Sequence, residues 1–444
     1  MPQTNVATVV GNAKINRFHI KAAGICALLM VIDGYDLVSF GSVIPLLIRD
    51  WGADPVALGL VASMALAGMF VGGLVVAPVA DKYGRRKVLV AGLILVSFAA
   101  FACAFAESVL VLGALRFIVG IALGTLVPNL VALTGEIAPT KSKALFVATV
   151  SAFYAVGGVS AALISIWVEP FLGWHGVFYV SGLSIFLVPV VLKHLPESPE
   201  FLALRGDRKR LDSVMKQIEP SWDSSFEIVQ PARAQSKSRI AQLFTHGNAL
   251  ASSLMWVFFI MTMLLTYALN TWLPKLMQNA GFELGSAMWT LVVLNAGGLL
   301  GSIAGGWMAG RTSYRKTLIG YFVVAIVSLL VLSFRPGSLV LNIALFTAGA
   351  TIIGILAIIH AFAVEFYPVH VRTTGVGWAS GNGRIGAIAG PILGGALVAA
   401  GLPLQINFLL LTIPAAIGVI AVIIVTARRF KMPVAPAEER VPTA

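Results

Sequence analysis

Charge is scarce in this chain, and the scarcity excludes a soluble fold. Only 11% of the 444 residues are charged, 58% are hydrophobic, and the mean hydropathy is +0.91. Soluble globular domains carry about 25% charged residues, so a chain this apolar must place much of its surface in lipid. The net charge of +12 is explained by the membrane orientation described below, and no nucleic-acid partner is expected.

Several chemical motifs are also missing. The two cysteines, Cys26 and Cys103, lie inside apolar runs, so no disulfide or metal framework is implied. No Gly-Lys-Ser/Thr phosphate loop occurs, the six histidines lack zinc-ligand spacing, and no nucleophilic triad can be argued from residue order. Gly381-x-Gly383-x-x-Gly386 fits a dinucleotide fingerprint but follows no strand, and close helix packing explains it better. We therefore expect neither an enzymatic activity nor a cofactor.

What the chain does contain is a series of apolar runs, each long enough to cross a hydrocarbon core of about 30 Å. They predict twelve membrane-spanning helices, at 20–47, 56–79, 88–106, 108–134, 144–168, 173–193, 247–273, 285–309, 317–334, 338–363, 374–398 and 402–426. The first run is too long, and too acidic, for a cleavable signal peptide. If the spans alternate, one side of the membrane holds all but five of the 31 Lys and Arg, the exceptions being Arg49, Arg116, Lys275, Arg335 and Arg384. The positive-inside rule then predicts cytoplasmic termini.

The longest polar stretch divides the predicted spans into two sets of six. It predicts an N-terminal bundle at 1–193, a cytoplasmic loop at 194–246 with short helices around 198–219, a C-terminal bundle at 247–430 and a disordered tail at 431–444. The halves repeat at the offset of 229 residues that separates Glu136-x-x-Pro139-x-x-x-Lys143 from Glu365-x-x-Pro368-x-x-x-Arg372. Transporters use such repeats to build two bundles around a central site.

Four charged residues inside the spans break the repeat: Asp33, Asp36, Arg116 and Arg384. An ionised carboxylate at the bilayer centre costs about 2.5–3.5 kcal/mol on insertion scales, and the spacing of Asp33 and Asp36 puts both on one helix face. A rise of about 1.5 Å per residue brings all four to a common level, roughly 18–22 Å from the inner edge. Two interpretations stay open. The charges either form two structural ion pairs, or they leave one arginine for an organic anion and one acid for a proton.

The second interpretation assigns a role to each charged group. Asp33 and Asp36 would couple protons, and Arg384 and Arg116 would bind a carboxylate, with Arg384 preferred because its own half holds no acid at that depth. Tyr35, Asn295, Trp378 and Asn382 lie near the same level and could stack on a ring or bond a hydroxyl, although each alone is more often core packing. Charges at the cytoplasmic helix ends predict a gate built from Asp81, Gly84, Arg85, Arg86, Glu136, Glu365 and Arg372.

Several of these motifs resemble known ones. The loop Asp81-Lys82-Tyr83-Gly84-Arg85-Arg86-Lys87 is similar to the signature of the major facilitator superfamily, and Arg116-x-x-x-Gly120-x-x-x-Gly124 resembles its fourth-helix motif. Asp33-Gly34-Tyr35-Asp36 resembles the Asp-Gly-x-Asp motif of the aromatic acid/proton symporters, and the stretch from Arg372 to Trp378, followed by Gly383-Arg384, is similar to that family too. Two positions depart from the pattern. Ala77 stands where the signature usually has Gly, and Gly310 occupies the repeat position of Asp81, so the second gate is expected to lack its acidic member.

The resemblance implies an all-α, twelve-helix membrane protein that imports benzoate-type acids, such as hydroxybenzoates, protocatechuate or gentisate, by proton symport. It also implies a bacterial inner membrane, alternating access between two bundles, and functional roles for Asp33, Asp36, Asp81, Arg116, Glu136, Arg372 and Arg384. We expect a monomer whose partners are a small aromatic carboxylate, protons and the lipid bilayer. Two alternatives stay open: a porter for a muconate, a chlorinated aromatic acid or a non-aromatic carboxylate, and a chemoreceptor that has kept a transporter fold.

Overall fold

The computed structural model describes residues 3–76, 79–223, 227–228, 240–245, 248–368 and 371–427. Those residues form two short strands, β1 (Gln3–Thr4) and β2 (Glu227–Ile228), which pair in parallel, and a series of helices. The helices are α1 (Val6–Asn12), α2 (Arg17–Trp51), α3 (Pro55–Val71), α4 (Ala80–Tyr83), α5 (Arg85–Cys103), α6 (Val109–Ile137), α7 (Lys143–Gly182), α8 (Val188–His194), α9 (Pro199–Arg205), α10 (Arg208–Ile218), α11 (Ala249–Asn279), α12 (Leu284–Arg311), α13 (Tyr314–Ser333), α14 (Ser338–Phe366), α15 (Arg372–Ala399) and α16 (Leu404–Ala427). Ala77 and the predicted tail at 431–444 lie outside the described residues.

The prediction of an all-α membrane fold is confirmed, with one difference in how the spans are divided. Among the described residues, ten helices are long and apolar enough to cross a membrane. The predicted spans 144–168 and 173–193 share one of them, a segment of 52 residues from Lys143 to His194. Gly173 interrupts it with φ 57° and ψ −156°, a region that glycine enters without a Cβ clash. The number of crossings and the side of the termini stay predictions.

Contacts between helices repeat at the same offset of 229 residues. A Cβ added at Gly68 of α3 would collide with the carbonyl oxygen of Phe117 in α6, and one at Gly297 of α12 would collide with that of Phe346 in α14. Similarly, Gly157 of α7 lies against Val31 of α2, and Gly386 of α15 lies against Ile260 of α11. Small residues let helix backbones touch in a membrane. The repeat in the sequence is therefore also a repeat of helix packing.

The predicted short helices around 198–219 are confirmed as α9 and α10, and they hold the beginning of the chain. Val6 and Val10 of α1 are buried against Leu202 and Leu211 of these helices. Asn16 Nδ2 donates to the carbonyl oxygen of Gln217 at 2.9 Å, while its Oδ1 caps α2 by accepting from the Phe18 amide. The N-terminal segment is thereby anchored beside the first residues of α2.

Helices α2, α3 and α5–α7 form the first bundle, and α11–α16 form the second. We call the side on which α2 begins, at Arg17, the near side, and the side on which it ends, at Trp51, the far side. The two bundles touch closely toward the far side, where Ser63 Oγ donates to the carbonyl oxygen of Ile388 at 2.6 Å. An ideal Cβ at Gly59 of α3 would lie 2.6 Å from the carbonyl oxygen of Pro391 in α15. The far side of the interface is thus packed at backbone contact distance.

Candidate functional site

Asp36 and Arg116 form a buried ion pair within the first bundle. Arg116 Nη1 donates to Asp36 Oδ2 at 2.6 Å, and the two side chains are 1% and 0% exposed. Arg116 Nη2 also donates to the carbonyl oxygen of Asp36 at 3.2 Å, and Ser181 Oγ donates to Asp36 Oδ1 at 3.1 Å. The guanidinium lies over the Phe40 ring, 5.2 Å from its centroid. Asp36 and Arg116 therefore neutralise each other within the first bundle, out of contact with water.

Asp33 is placed differently, although it lies one helical turn from Asp36. Its side chain is buried, at 2% exposure, and its Oδ1 has no hydrogen-bond partner within the described part of the chain. The opposite charge that acts on it is Arg384 of α15, in the other bundle. The hydroxyl groups of Tyr154 in α7 and Tyr267 in α11 lie beside the same two charges. Asp33, Tyr154, Tyr267 and Arg384 therefore form one polar cluster that bridges the bundles.

The second bundle adds an aromatic wall on the near side of this cluster. Trp378 of α15 is 43% exposed and stacks on Trp256 of α11, with ring centroids 6.0 Å apart. His360 of α14 packs edge-on against Phe259 of α11 at 5.2 Å and is exposed. These two side chains pack between helices and are still exposed, and Arg384 is half-exposed.

The four predicted aromatic and amide contacts separate into two groups. Trp378 is exposed and Asn382 is half-buried, and Asn382 Nδ2 donates to the carbonyl oxygen of Trp378 at 2.8 Å. Tyr35, 6% exposed, donates its hydroxyl to the carbonyl oxygen of Val177 at 3.0 Å. Asn295 is fully buried and donates to Asn270 Oδ1 at 2.9 Å. Tyr35 and Asn295 are therefore packing residues in this arrangement of the bundles.

The predicted gate residues of the first bundle converge on Arg85. Its guanidinium lies 2.8 Å from Glu136 Oε1 and 3.5 Å from Asp81 Oδ1. Gly84 has φ +100°, and a Cβ there would collide with the Glu197 carboxylate, which accepts from the Arg86 amide at 3.1 Å. These ion pairs are confined to one bundle and its loop, so the loop Asp81–Lys87 is held to the near side of the first bundle.

With this geometry in view, the chain can be compared with known proteins. The sequence model of the family described as Major Facilitator Superfamily matches residues 26–385 and 289–444 of the chain. The chain belongs to this superfamily. It is a transporter, not an enzyme, and a multi-pass protein of the bacterial inner membrane.

Curated relatives within the superfamily carry aromatic acids. The chain is 36% identical to the benzoate transport protein of Acinetobacter baylyi, over 97% of this chain and 94% of that one. It is 33% identical to the 4-hydroxybenzoate transporter PcaK of Pseudomonas aeruginosa, over 90% of this chain and 91% of that one. The resemblance to the aromatic acid branch is thus confirmed.

Solved structures agree on the fold. The inward open conformation of the xylose transporter XylE from E. coli superposes with a TM-score of 0.72 at 14% identity, over 91% of this chain and 95% of that one. At this identity the likeness concerns the fold alone. It shows that the described helices have the superfamily arrangement.

The second half keeps only part of the superfamily gate. At the repeat position of Arg85 stands Tyr314, and Gly310 has an open surface where Asp81 lies in the first half. Glu365 is exposed, and Arg372 Nε donates to the carbonyl oxygen of Tyr367 at 3.2 Å. The near-side charge network is therefore strong in the first bundle and weak in the second.

Sequence reasoning missed three polar side chains that the structure places near Arg384: Tyr154, Tyr267 and His360. One signal was available for His360, since it is an ionisable residue inside the apolar run 338–363, and such residues mark transport pathways. The two tyrosines gave no comparable signal, because aromatic residues are common in membrane helices.

Proposed function

We propose that this chain is a proton-coupled symporter that imports a small aromatic carboxylate. The observation that carries the proposal is the unequal pairing of the four intramembrane charges. Asp36 and Arg116 neutralise each other inside one bundle. Among the described side chains, no ion pair of 4.0 Å or less joins Asp33 to Arg384, so a substrate anion and a proton can each take a place between them.

In this mechanism Arg384 holds the carboxylate. A guanidinium presents a planar fork that matches a carboxylate with two hydrogen bonds, and the Arg384 side chain is half-exposed. Asp33 is the group that exchanges the proton, because arginine stays protonated at any physiological pH. When Asp33 is protonated, Arg384 loses its nearest counter-charge and becomes the stronger receptor for an anion. Proton and substrate binding are thereby coupled.

The proposed topology has twelve crossings with the near side in the cytoplasm. The break at Gly173 divides Lys143–His194 into two crossings, and α15 supplies one more. The positive-inside pattern supports the orientation. The bundles would comprise 1–193 and 247–430, joined by the loop 194–246, and the transporter would act as a monomer without a cofactor.

The packed far side and the exposed aromatic wall support an inward-open state for the structure. Alternating access requires a second state in which the near side closes. We assign that closure to the near-side charges Asp81, Arg85, Arg86, Glu136, Glu365 and Arg372, with Gly84 shaping the loop. In the inward-open state Arg85 would be held within its own bundle, as the ion pair with Glu136 suggests.

The first experiment measures uptake into proteoliposomes of a panel of labelled acids: benzoate, 4-hydroxybenzoate, gentisate, nicotinate and muconate. We expect concentrative uptake of the benzoates under an inward proton gradient, and its collapse with a protonophore. Uptake of muconate alone would favour the rival anion porter. Binding without uptake would favour the chemoreceptor. The names of the relatives leave open whether the acid carries a ring hydroxyl.

The coupling role of Asp33 has its own test. We expect Asp33→Asn to bind substrate yet fail to accumulate it against a gradient, because the amide cannot carry the proton. Glu107→Gln, which changes an exposed acid between α5 and α6, is the matched control and should accumulate normally. If folded Asp33→Asn protein still concentrates substrate, the proton must travel by another group. Asp36→Asn should also abolish accumulation, by freeing Arg116.

A further inference from the structure

His360 has a hydrogen-bonding group that the structure leaves available. Its Nδ1 lies 3.1 Å from the carbonyl oxygen of Leu356, one turn earlier in α14. A carbonyl oxygen only accepts hydrogen bonds, so Nδ1 carries the proton and donates. In the neutral imidazole the other ring nitrogen, Nε2, is then an acceptor. The backbone of α14 thus sets which kind of partner His360 can take.

The partner present for Nε2 is a weak one. Ser380 Oγ of α15 lies 3.4 Å away, which is long for a hydrogen bond to a hydroxyl. The imidazole is exposed, and Phe259 holds its ring edge-on from the opposite helix. Packing therefore fixes the position of the acceptor Nε2, but no strong hydrogen-bond donor from the described side chains reaches it.

The spacing to Arg384 suits a substituted benzene ring. Ser380 and Arg384 are four residues apart on α15, about 6 Å along the helix axis and on one face. Arg384 is close enough to His360 to act on it electrostatically. One helical turn is comparable to the separation between a ring carboxylate and a substituent para to it. A substrate held at Arg384 would direct its opposite end toward His360.

We propose that His360 Nε2 accepts a hydrogen bond from a ring hydroxyl of the substrate, and so selects hydroxylated aromatic acids over unsubstituted ones. The inference rests on the proposed function, since it takes Arg384 as the carboxylate receptor. It adds the requirement that the substituent be a donor. A methoxy group, which has an oxygen but no proton, does not meet that requirement.

The test compares benzoate, 4-hydroxybenzoate and 4-methoxybenzoate by calorimetry on purified protein. We expect wild type to favour 4-hydroxybenzoate, and His360→Phe to lose about 2- to 10-fold in affinity for that ligand alone. Phenylalanine retains the aromatic packing against Phe259, and His360→Gln, which restores an acceptor, should recover part of the preference. Ser380→Ala should leave it intact. Arg384→Ala should lose all three ligands.

Each remaining outcome contradicts a definite part of the inference. Equal loss of all three acids in His360→Phe would show a structural role only. Equal preference of wild type for the hydroxy and methoxy compounds would mean that His360 donates, which overturns the acceptor assignment. Binding of benzoate without any preference for a hydroxyl would refute the inference and leave the proposed function standing. If wild type binds no aromatic acid, the proposed function itself fails.

Discussion

At the scale of single residues, the two intramembrane arginines have different surroundings. Arg116 is 1% exposed and forms an ion pair with Asp36. Removing the Arg116 side chain would leave the buried Asp36 carboxylate without a counter-charge. Arg384 is half-exposed and acts electrostatically on Asp33 of the other bundle, but the two side chains do not form a close ion pair. Arginine therefore occurs in a buried ion pair in one bundle and in a half-exposed position without such a pair in the other.

This difference predicts opposite phenotypes for two alanine variants. Arg116→Ala should lower the thermal midpoint of the detergent-solubilised protein, because breaking a buried ion pair by removing one partner costs about 3–5 kcal/mol. Arg384→Ala should melt near wild type but lose substrate binding. Thermal unfolding followed by intrinsic fluorescence, with and without ligand, separates the two effects. A large fall in the midpoint of Arg384→Ala would instead make it the structural arginine.

The positions of these charges along the chain were predictable, and their partners were not. Helical rise alone placed Asp33, Asp36, Arg116 and Arg384 at one depth. Which aspartate meets Arg116 depends on how far α2 is rotated about its axis, since residues three apart share a face but point about 60° from each other. That rotation is set by the packing of α2 against α7. The local sequence pattern of α2 does not contain this information.

At the scale of helices, the acidic motif also has a packing role. Gly34, between the two aspartates, lies against the carbonyl of Tyr154 in α7, and a Cβ there would collide with it. The glycine therefore lets α2 and α7 approach closely enough to bury Asp33 and Asp36. It also positions Tyr154 beside Asp33.

Gly34→Ala tests this packing against a control in the same helix. The added methyl group should push α2 away from α7, which lowers stability and transport together, because overpacking costs about 1–3 kcal/mol. Gly24→Ala introduces the same change where nothing lies within 4 Å, and it should be neutral or slightly stabilising. The measurements are the uptake rate of each variant relative to wild type and the shift of its melting temperature from wild type. Equal effects at the two positions would rule out the close contact.

The helices themselves could be predicted from the sequence because apolar length is a strong signal. The predicted spans 144–168 and 173–193 meet near Gly173, where the structure has a sharp bend instead of a loop. Helix α15 covers the span predicted at 374–398 from its apolar run, in spite of the polar residues within it. A hydropathy window alone does not identify α15 as a membrane-spanning helix.

At the scale of the whole molecule, the two bundles meet closely on the far side. Gly59 of α3 approaches Pro391, and Gly395 of α15 approaches the carbonyl oxygen of Pro55, with ideal Cβ distances of 2.6 and 2.7 Å. Closure of that side needs small residues at both positions. A larger side chain at either one would favour the state in which the far side is open.

We expect Gly59→Leu and Gly395→Leu to shift the population toward the state with a closed near side. Spin labels on Lys87→Cys and Lys316→Cys, two exposed near-side positions related by the repeat, would report a shorter distance in these variants. The native Cys26 and Cys103 are buried, so background labelling should be low. Gly320→Leu, in open surroundings, is the control. An unchanged distance distribution in both variants would argue that the far-side contact does not control the equilibrium.

The pairing of Asp36 with Arg116 has an electrical consequence. These two charges cancel, and Asp33 and Arg384 cancel as well, so the empty site has no net charge to move through the membrane field. If one carboxylate enters with one proton, the loaded site is neutral too. A voltage of 100 mV does about 2.3 kcal/mol of work on each elementary charge that crosses the membrane. Because the empty site and the loaded site are both neutral, no net charge crosses with either. Accumulation would then follow the acidity difference across the membrane and be nearly indifferent to its polarisation.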